Sequence, residues 1–148
     1  VLGWLSFSNA PLTDFEGRVN WTKPITTEKT YPLGFAIQIP SYGTRYTPPK
    51  SGVRLIDLPL CTLTFSQGPI FIDEVVKVEL TTSNKMKDLF GTPLPIHIKT
   101  KSGMFSGTFL NPFTSAPIDF TALMLQKTNV GVGFFTGGGF SGRVTLYP

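Results

Sequence analysis

One histidine, one cysteine and nine carboxylates are the groups in this 148-residue sequence on which chemistry would draw. His97 stands on the polar side of an alternating stretch, with no second histidine and no CxxC pair, so no transition-metal site can be assembled. A Cys–His dyad would need Cys61 as nucleophile, but Cys61 is set among Leu58, Pro59, Leu60, Leu63 and Phe65 and reads as an inert, buried thiol. Ser141, in Gly139-Phe140-Ser141-Gly142, misses the GxSxG nucleophile turn by one position. Two carboxylates facing each other as a glycosidase pair stay open from the sequence. Asp73 and Glu74 flank a strand and the other acids are dispersed, which points to structural work. No catalytic residue, metal or cofactor is expected, and the chain reads as a non-enzyme.

The glycine-rich stretch near the C-terminus fails as a phosphate cradle. Gly131-Val132-Gly133-Phe134-Phe135-Thr136-Gly137 is GxGxxxG, one residue too long, and no helix follows to supply a positive N-terminus. It reads as a loop between two core strands. A hairpin needs only about two to five residues, so the excess length points to recognition. Tyr42, Tyr46, Phe134, Phe135 and Phe140 lie in or beside expected loops. Flat aromatic faces near Asn, Thr and backbone groups suit sugars, which show apolar C–H faces and polar edges. The other reading of Phe134 and Phe140 is that they plug an open end of the core.

The elements that must position these residues are strands. Phe35, Ile37 and Ile39, then Val76, Val78 and Leu80, then Leu94, Ile96 and Ile98, then Val144 and Leu146 all recur at period two. Further strands are expected at Leu2–Ser8, Gly17–Trp21, Leu60–Phe65, Met104–Leu110 and Phe120–Lys127, the last apolar on both faces. Breakers separate them, among them Ser41-Tyr42-Gly43, Pro48-Pro49-Lys50-Ser51-Gly52 and Gln67-Gly68-Pro69. The one helical candidate, Ser83 to Leu89, is about two turns long and reads as a turn or 3₁₀ segment. Thirteen Phe, thirteen Pro and fifteen Gly agree with strands and turns. The expected fold is all-β, an antiparallel β-sandwich or barrel of immunoglobulin-like or jelly-roll type, in a single domain over residues 1–148.

The net charge of +4 is modest, and its densest group, Lys85, Lys87, Lys99 and Lys101, is spread over two segments. With no helix to carry it, this is a solvated surface rather than a nucleic-acid face. No apolar run approaches the roughly 20 residues of a membrane span, and the N-terminus lacks a signal-peptide layout. Asn20-Trp21-Thr22 matches a glycosylation sequon but reads as a strand.

From Asp73 onward the order of features resembles the receptor-binding (lectin) domain of FimH-like tip adhesins of bacterial chaperone–usher pili. Gly91-Thr92-Pro93-Leu94-Pro95-Ile96-His97-Ile98-Lys99-Thr100 is similar to that family's proline-flanked strand, and Leu123 to Asn129 is similar to its apolar strand ending in Thr-Asn. A loop follows, and a last strand from Phe140 to Tyr147 ends in a proline where the family's linker to a pilin domain begins. The resemblance implies secretion through the periplasm, display at a fimbrial tip, a chaperone and an usher as assembly partners, and a host glycan or glycoprotein as ligand. No membrane insertion follows from it, and the isolated domain is expected to be monomeric. Asn129 matches the asparagine that contacts sugar in mannose-binding members, while Lys127 replaces a glutamine and the family's acidic loop residue is missing. That pattern argues against mannose and toward an anionic sugar or acidic surface. Tyr42 and Tyr46 fall where the family supplies a second ligand loop. The expected ligand set is therefore Asn129, Lys127, Tyr42, Tyr46, Phe134 and Phe135. The alternative reading is a structural jelly-roll module of a viral capsid or phage tail fibre.

Overall fold

The computed structural model describes residues 1–91 and 94–148. Thr92 and Pro93, two positions of the proline-flanked stretch, lie outside the described residues. The span expected as one domain divides by its backbone contacts into two compact units, residues 1–45 and 46–148. All elements among the described residues are antiparallel strands, as the alternation required.

The first unit is a three-stranded meander, with β1 (Leu2–Phe7), β2 (Phe15–Lys23) and β3 (Phe35–Gly43) in that order across the sheet. Residues directly opposite one another share a face. The register Trp4↔Arg18↔Pro40 and Leu5↔Gly17↔Ser41 therefore sorts the side chains into two sets. On one face Gln38 links Arg18 and Asn20, both at 3.2 Å. The other face carries Leu5, Phe7, Phe15, Val19, Trp21, Phe35, Ile37 and Ile39, with Trp21 and Phe35 edge to face at 5.3 Å. Only Gly43 is fully buried in this unit. Asn20 of the sequon lies within β2, as expected. Tyr42 does not lie in a ligand loop: it is a residue of β3, opposite Glu16, so Ser41-Tyr42-Gly43 continues a strand instead of ending one.

The second unit contains β4 (Leu60–Gln67), β5 (Glu74–Leu80), β6 (Met86–Asp88), β7 (Ile96–Lys99), β8 (Met104–Leu110), β9 (Pro117–Leu125), β10 (Val130–Gly137) and β11 (Phe140–Tyr147). Their order in the sheet is β6-β5-β4-β11-β10-β9-β8-β7. Sequence neighbours pair along the sheet except β6 and β7, which form its two edges, and β11 returns to β4. The sheet thus curls into a nearly closed barrel, with its open seam between the short edges β6 and β7. The expected turn at Ser83 to Leu89 is a turn followed by strand β6, not a 3₁₀ segment.

Eight strands enclose a space that side chains alone can fill. Here phenylalanines fill it. Phe65 stacks on Phe109 with centroids 4.1 Å apart and meets Phe120 edge to face at 5.0 Å, while Phe109 meets Phe135 at 5.1 Å. Cys61, Leu63, Val78, Leu80, Val144 and Leu146 complete the packing. Rings of this size need small residues across from them. A Cβ on Gly142, opposite Phe135 in the register, would strike the Phe135 ring.

That requirement corrects the reading of the glycine stretch. Residues 130–137 form a full strand, paired to β9 on one side and β11 on the other. The connection to β11 is the two-residue turn Gly138-Gly139, with φ of 56° and 86°. Positive φ at both central residues is the type I′ geometry that matches hairpin twist. The excess length that pointed to recognition is absent. Phe135 is 1% exposed and belongs to the core, so it cannot meet a ligand. Phe134 and Phe140 are more than half exposed and do not plug the barrel.

Candidate functional site

Strand direction sorts the second unit's connections into two ends. The turns 81–85, 100–103 and 126–129 lie at one end with the irregular segment 46–59, while 68–73, 111–116 and the Gly138-Gly139 turn lie at the other. The seven residue steps of β10 separate these ends by about 24 Å. Asn129 and Lys127 therefore sit at the opposite end from the glycine turn and Phe140, and do not share a site with them.

Segment 46–59 has no ladder to satisfy its backbone, yet its groups must be paired where it covers the barrel end. Three amide side chains supply the pairing. Gln126 donates to the carbonyls of Thr47 at 2.8 Å and Leu55 at 3.0 Å, and accepts the Thr47 N–H at 2.8 Å. Asn84 accepts the Leu55 N–H at 2.7 Å and donates to Val53 at 2.9 Å. Asn129 accepts the Asp57 N–H at 2.9 Å. The Arg54 guanidinium donates to the Leu80 carbonyl at 2.7 Å, and the Tyr46 hydroxyl donates to the Thr100 carbonyl. Leu55 and Ile56, each 2% exposed, close the core beneath the segment. Burial pushes the Tyr46 phenol above its ordinary pKa, a hydrogen bond with the Gly103 backbone drawing it part of the way back.

Between this pinned segment and the turns on either side of the open seam lies a cleft of about 450 Å³. Residues 49–52, Thr82, Ser83, Asn84 and Thr100 line it. The lining is hydroxyl, amide and backbone, with Lys50 as its charged member. The segments that supply it, 47–54, 81–85 and 99–103, also carry Arg54, Lys85, Lys99 and Lys101 and contain no carboxylate. The lysines that looked scattered along the chain are gathered here by the topology, because Lys85 directly precedes β6 on one side of the seam and Lys99 ends β7 on the other. Lys87 faces Glu79 across β5 and β6.

Of the residues expected to bind ligand, Tyr46, Lys127 and Asn129 share this end of the barrel, but Tyr46 and Asn129 are engaged in holding segment 46–59. Phe134 lies on the outer face of the sheet, opposite Thr121 and Arg143. Tyr42 belongs to the first unit, which has its own cleft of about 580 Å³ lined by Phe7, Ser8, Asn9, Asp14, Phe15, Thr44 and Arg45. Sequence reasoning missed Gln126, Asn84 and Lys50. The Thr-Thr-Ser-Asn-Lys turn and the Pro-Pro-Lys-Ser-Gly breaker signalled only irregular backbone, and a long-range amide clamp leaves no local pattern.

Four of the nine carboxylates are held in hydrogen bonds or an ion pair. His97 is an exposed residue of β7, and among the described residues no cluster of three His, Cys, Asp or Glu side chains could hold a metal. Asp119 accepts from Thr108 at 2.6 Å, Asp14 from the Arg45 N–H at 2.6 Å, and Asp88 from the Phe90 and Gly91 N–H groups. Glu28 pairs with Lys23 at 2.6 Å, which holds its carboxyl below the usual range. Among the described residues no helix is long and apolar enough to cross a membrane. No family model, curated protein or solved structure matches this chain.

Proposed function

We propose that this chain is a non-enzymatic recognition module for cell attachment, holding a host glycan or glycoprotein at the basic end of its barrel. The observation that carries this reading is the cleft over the seam. Its walls are turns and a segment fixed by side-chain amides to a rigid sheet, the arrangement in which loops acquire binding roles. Its hydroxyl and amide lining is suited to the polar edges of sugars. In its specific form, which rests on the sequence resemblance alone, the module is the receptor-binding domain of a fimbrial tip adhesin, secreted through the periplasm by a chaperone and an usher. A glycan array that includes matrix glycoproteins tests the reading. Retention of a defined ligand subset, lost when Ser51→Trp or Ser83→Trp fills the cleft, is expected. A chain that binds nothing on the array, or whose binding ignores both variants, would sink it.

A second reading, a structural module of a capsid or tail fibre, draws on the apolar face of the first unit, where no side chain is fully buried. Solution mass separates the two. The adhesin reading expects a monomer, whereas a stable oligomer supports the structural module.

A further inference from the structure

We infer that the cleft over the barrel seam is a site for an anionic saccharide, one bearing sulfate or carboxylate groups. The inference rests on the recognition reading above and specifies its ligand.

Charge on the barrel is segregated along its axis. Lys50, Arg54, Lys85, Lys99, Lys101 and Lys127 lie at the cleft end, against Asp57 and the end-proximal Glu79. The opposite end holds Asp73, Glu74 and Asp119, its turns contain no lysine or arginine, and Arg143, part-way along β11, is the cation of that half. Asp88 lies between the two ends, opposite Val78 of β5. Cations concentrated around a concave, partly walled site focus the field there and raise the local concentration of anions. Lys50 lines the cleft itself, and Lys85, Lys99 and Lys101 are exposed and directly follow or flank lining residues Asn84 and Thr100. Their ammonium groups are free of any carboxylate within their own segments, so a sulfate or carboxylate would gain charge-assisted hydrogen bonds without displacing a local partner.

The lining decides between classes of polyanion. Single-stranded nucleic acid is held by aromatic platforms on which bases stack, and no aromatic ring lines this cleft. Attachment to an anionic membrane by insertion needs apolar side chains beside the basic ones, whereas Ser51, Thr82, Ser83, Asn84 and Thr100 dominate here. Hydroxyl and amide groups beside cations match a sugar ring that carries both hydroxyls and an anionic substituent.

The test titrates the whole 148-residue chain against heparin, which carries sulfate and carboxylate, hyaluronan, which carries carboxylate alone, and neutral dextran. A single-stranded oligonucleotide and phosphatidylserine vesicles serve as other polyanions. Heparin or hyaluronan should bind more tightly than dextran, with affinity falling as salt rises from about 0.05 to 0.2 M. Lys50→Ala and Lys101→Ala should each weaken binding about tenfold, and Lys29→Ala, an exposed lysine of the first unit, should not. Lys101 sits in an exposed turn, so its variant keeps the test decisive if Lys50→Ala unfolds early. Equal binding of neutral glycans, insensitive to both variants, overturns the anionic inference and leaves glycan recognition standing. Binding to no saccharide overturns both. Oligonucleotide or vesicles bound as tightly as heparin overturn the assignment to a saccharide.

Discussion

Asn129, in the turn after β9, accepts the backbone N–H of Asp57 at 2.9 Å, joining positions 72 residues apart. Its own φ is 52°, in the left-handed region where asparagine is tolerated better than most residues. The side chain therefore has two jobs, to turn the chain and to hold segment 46–59. Asn129→Gly keeps the first and loses the second, so it should cost about 1 kcal/mol. Asn129→Ala loses both and should cost about 2 kcal/mol, while Asn129→Asp retains the acceptor and should cost least. Urea unfolding of the three variants checks the order. Equal stabilities for glycine and alanine would show that the backbone conformation contributes nothing.

Gln126 makes the larger clamp. Its amide closes a two-way pair with Thr47 and adds a bond to Leu55, so Gln126→Ala should cost about 2–3 kcal/mol. Gln126→Glu keeps the acceptor for the Thr47 N–H and loses both donated bonds, and should fall between wild type and alanine. Hydrogen exchange provides the local readout. The Thr47 amide should exchange faster in Gln126→Ala and remain protected in Gln126→Glu, whereas uniform acceleration across the barrel would mean general destabilisation instead of a released segment.

Alternation made the all-β class legible, because period two survives wherever one face meets a core. Ile96 and Ile98, or Val144 and Leu146, announce their strands without help. It did not announce β10, whose inward positions are Gly131, Gly133 and Phe135 and so lack the regular apolar signal. A Cβ on Gly131 would meet Leu146 and the Phe105 ring, and one on Gly133 would strike Thr121 and Ala122 of β9, facts about packing that a local window does not contain. Connectivity was equally hidden. Alternation is indifferent to whether strands join by hairpins or crossovers, and here every neighbour in the barrel is consecutive except β11 beside β4. For the site, the sequence located lysines, but their convergence depends on which turns share an end. The family resemblance matches Asn129 to a sugar contact, whereas its long-range bond to Asp57 is visible only in the fold.

The fit of Phe135 against Gly142 predicts a non-additive pair. Gly142→Ala places a methyl group in the Phe135 ring and should destabilise by about 2–3 kcal/mol through overpacking. Phe135→Leu alone shrinks a fully packed side chain and should cost about 1–3 kcal/mol. Combined, the smaller leucine leaves room for the methyl group, so the double variant should be more stable than the sum of the single losses implies. A double-mutant cycle by chemical denaturation reads this directly. Simple additivity would mean that the strand shifts to accommodate the methyl group without help from position 135.

Cys61 offers a pH signature of the same core. Burial pushes its thiol up to about 11 from an ordinary value of 9.0, the nearby Arg54 charge pulling slightly the other way. The Sγ–H donates to the Leu58 carbonyl at 3.3 Å, a bond that also favours the protonated form. Because the folded pKa lies above the unfolded one, the unfolded chain loses this proton first as pH rises. Between about 9 and 11 the unfolded state binds fewer protons, and stability must fall with pH. The contribution is intact below pH 9.0 and is reduced by about 2 kcal/mol at pH 11. Lysines and tyrosines also titrate there, so the measurement is the difference between wild type and Cys61→Ala. The wild type should lose stability more steeply across this window, and its thiol should resist alkylation near neutral pH until denaturant unfolds the barrel. Parallel pH profiles, or rapid alkylation of the native protein, would place the thiol in contact with solvent and contradict the packing of β4 against the core.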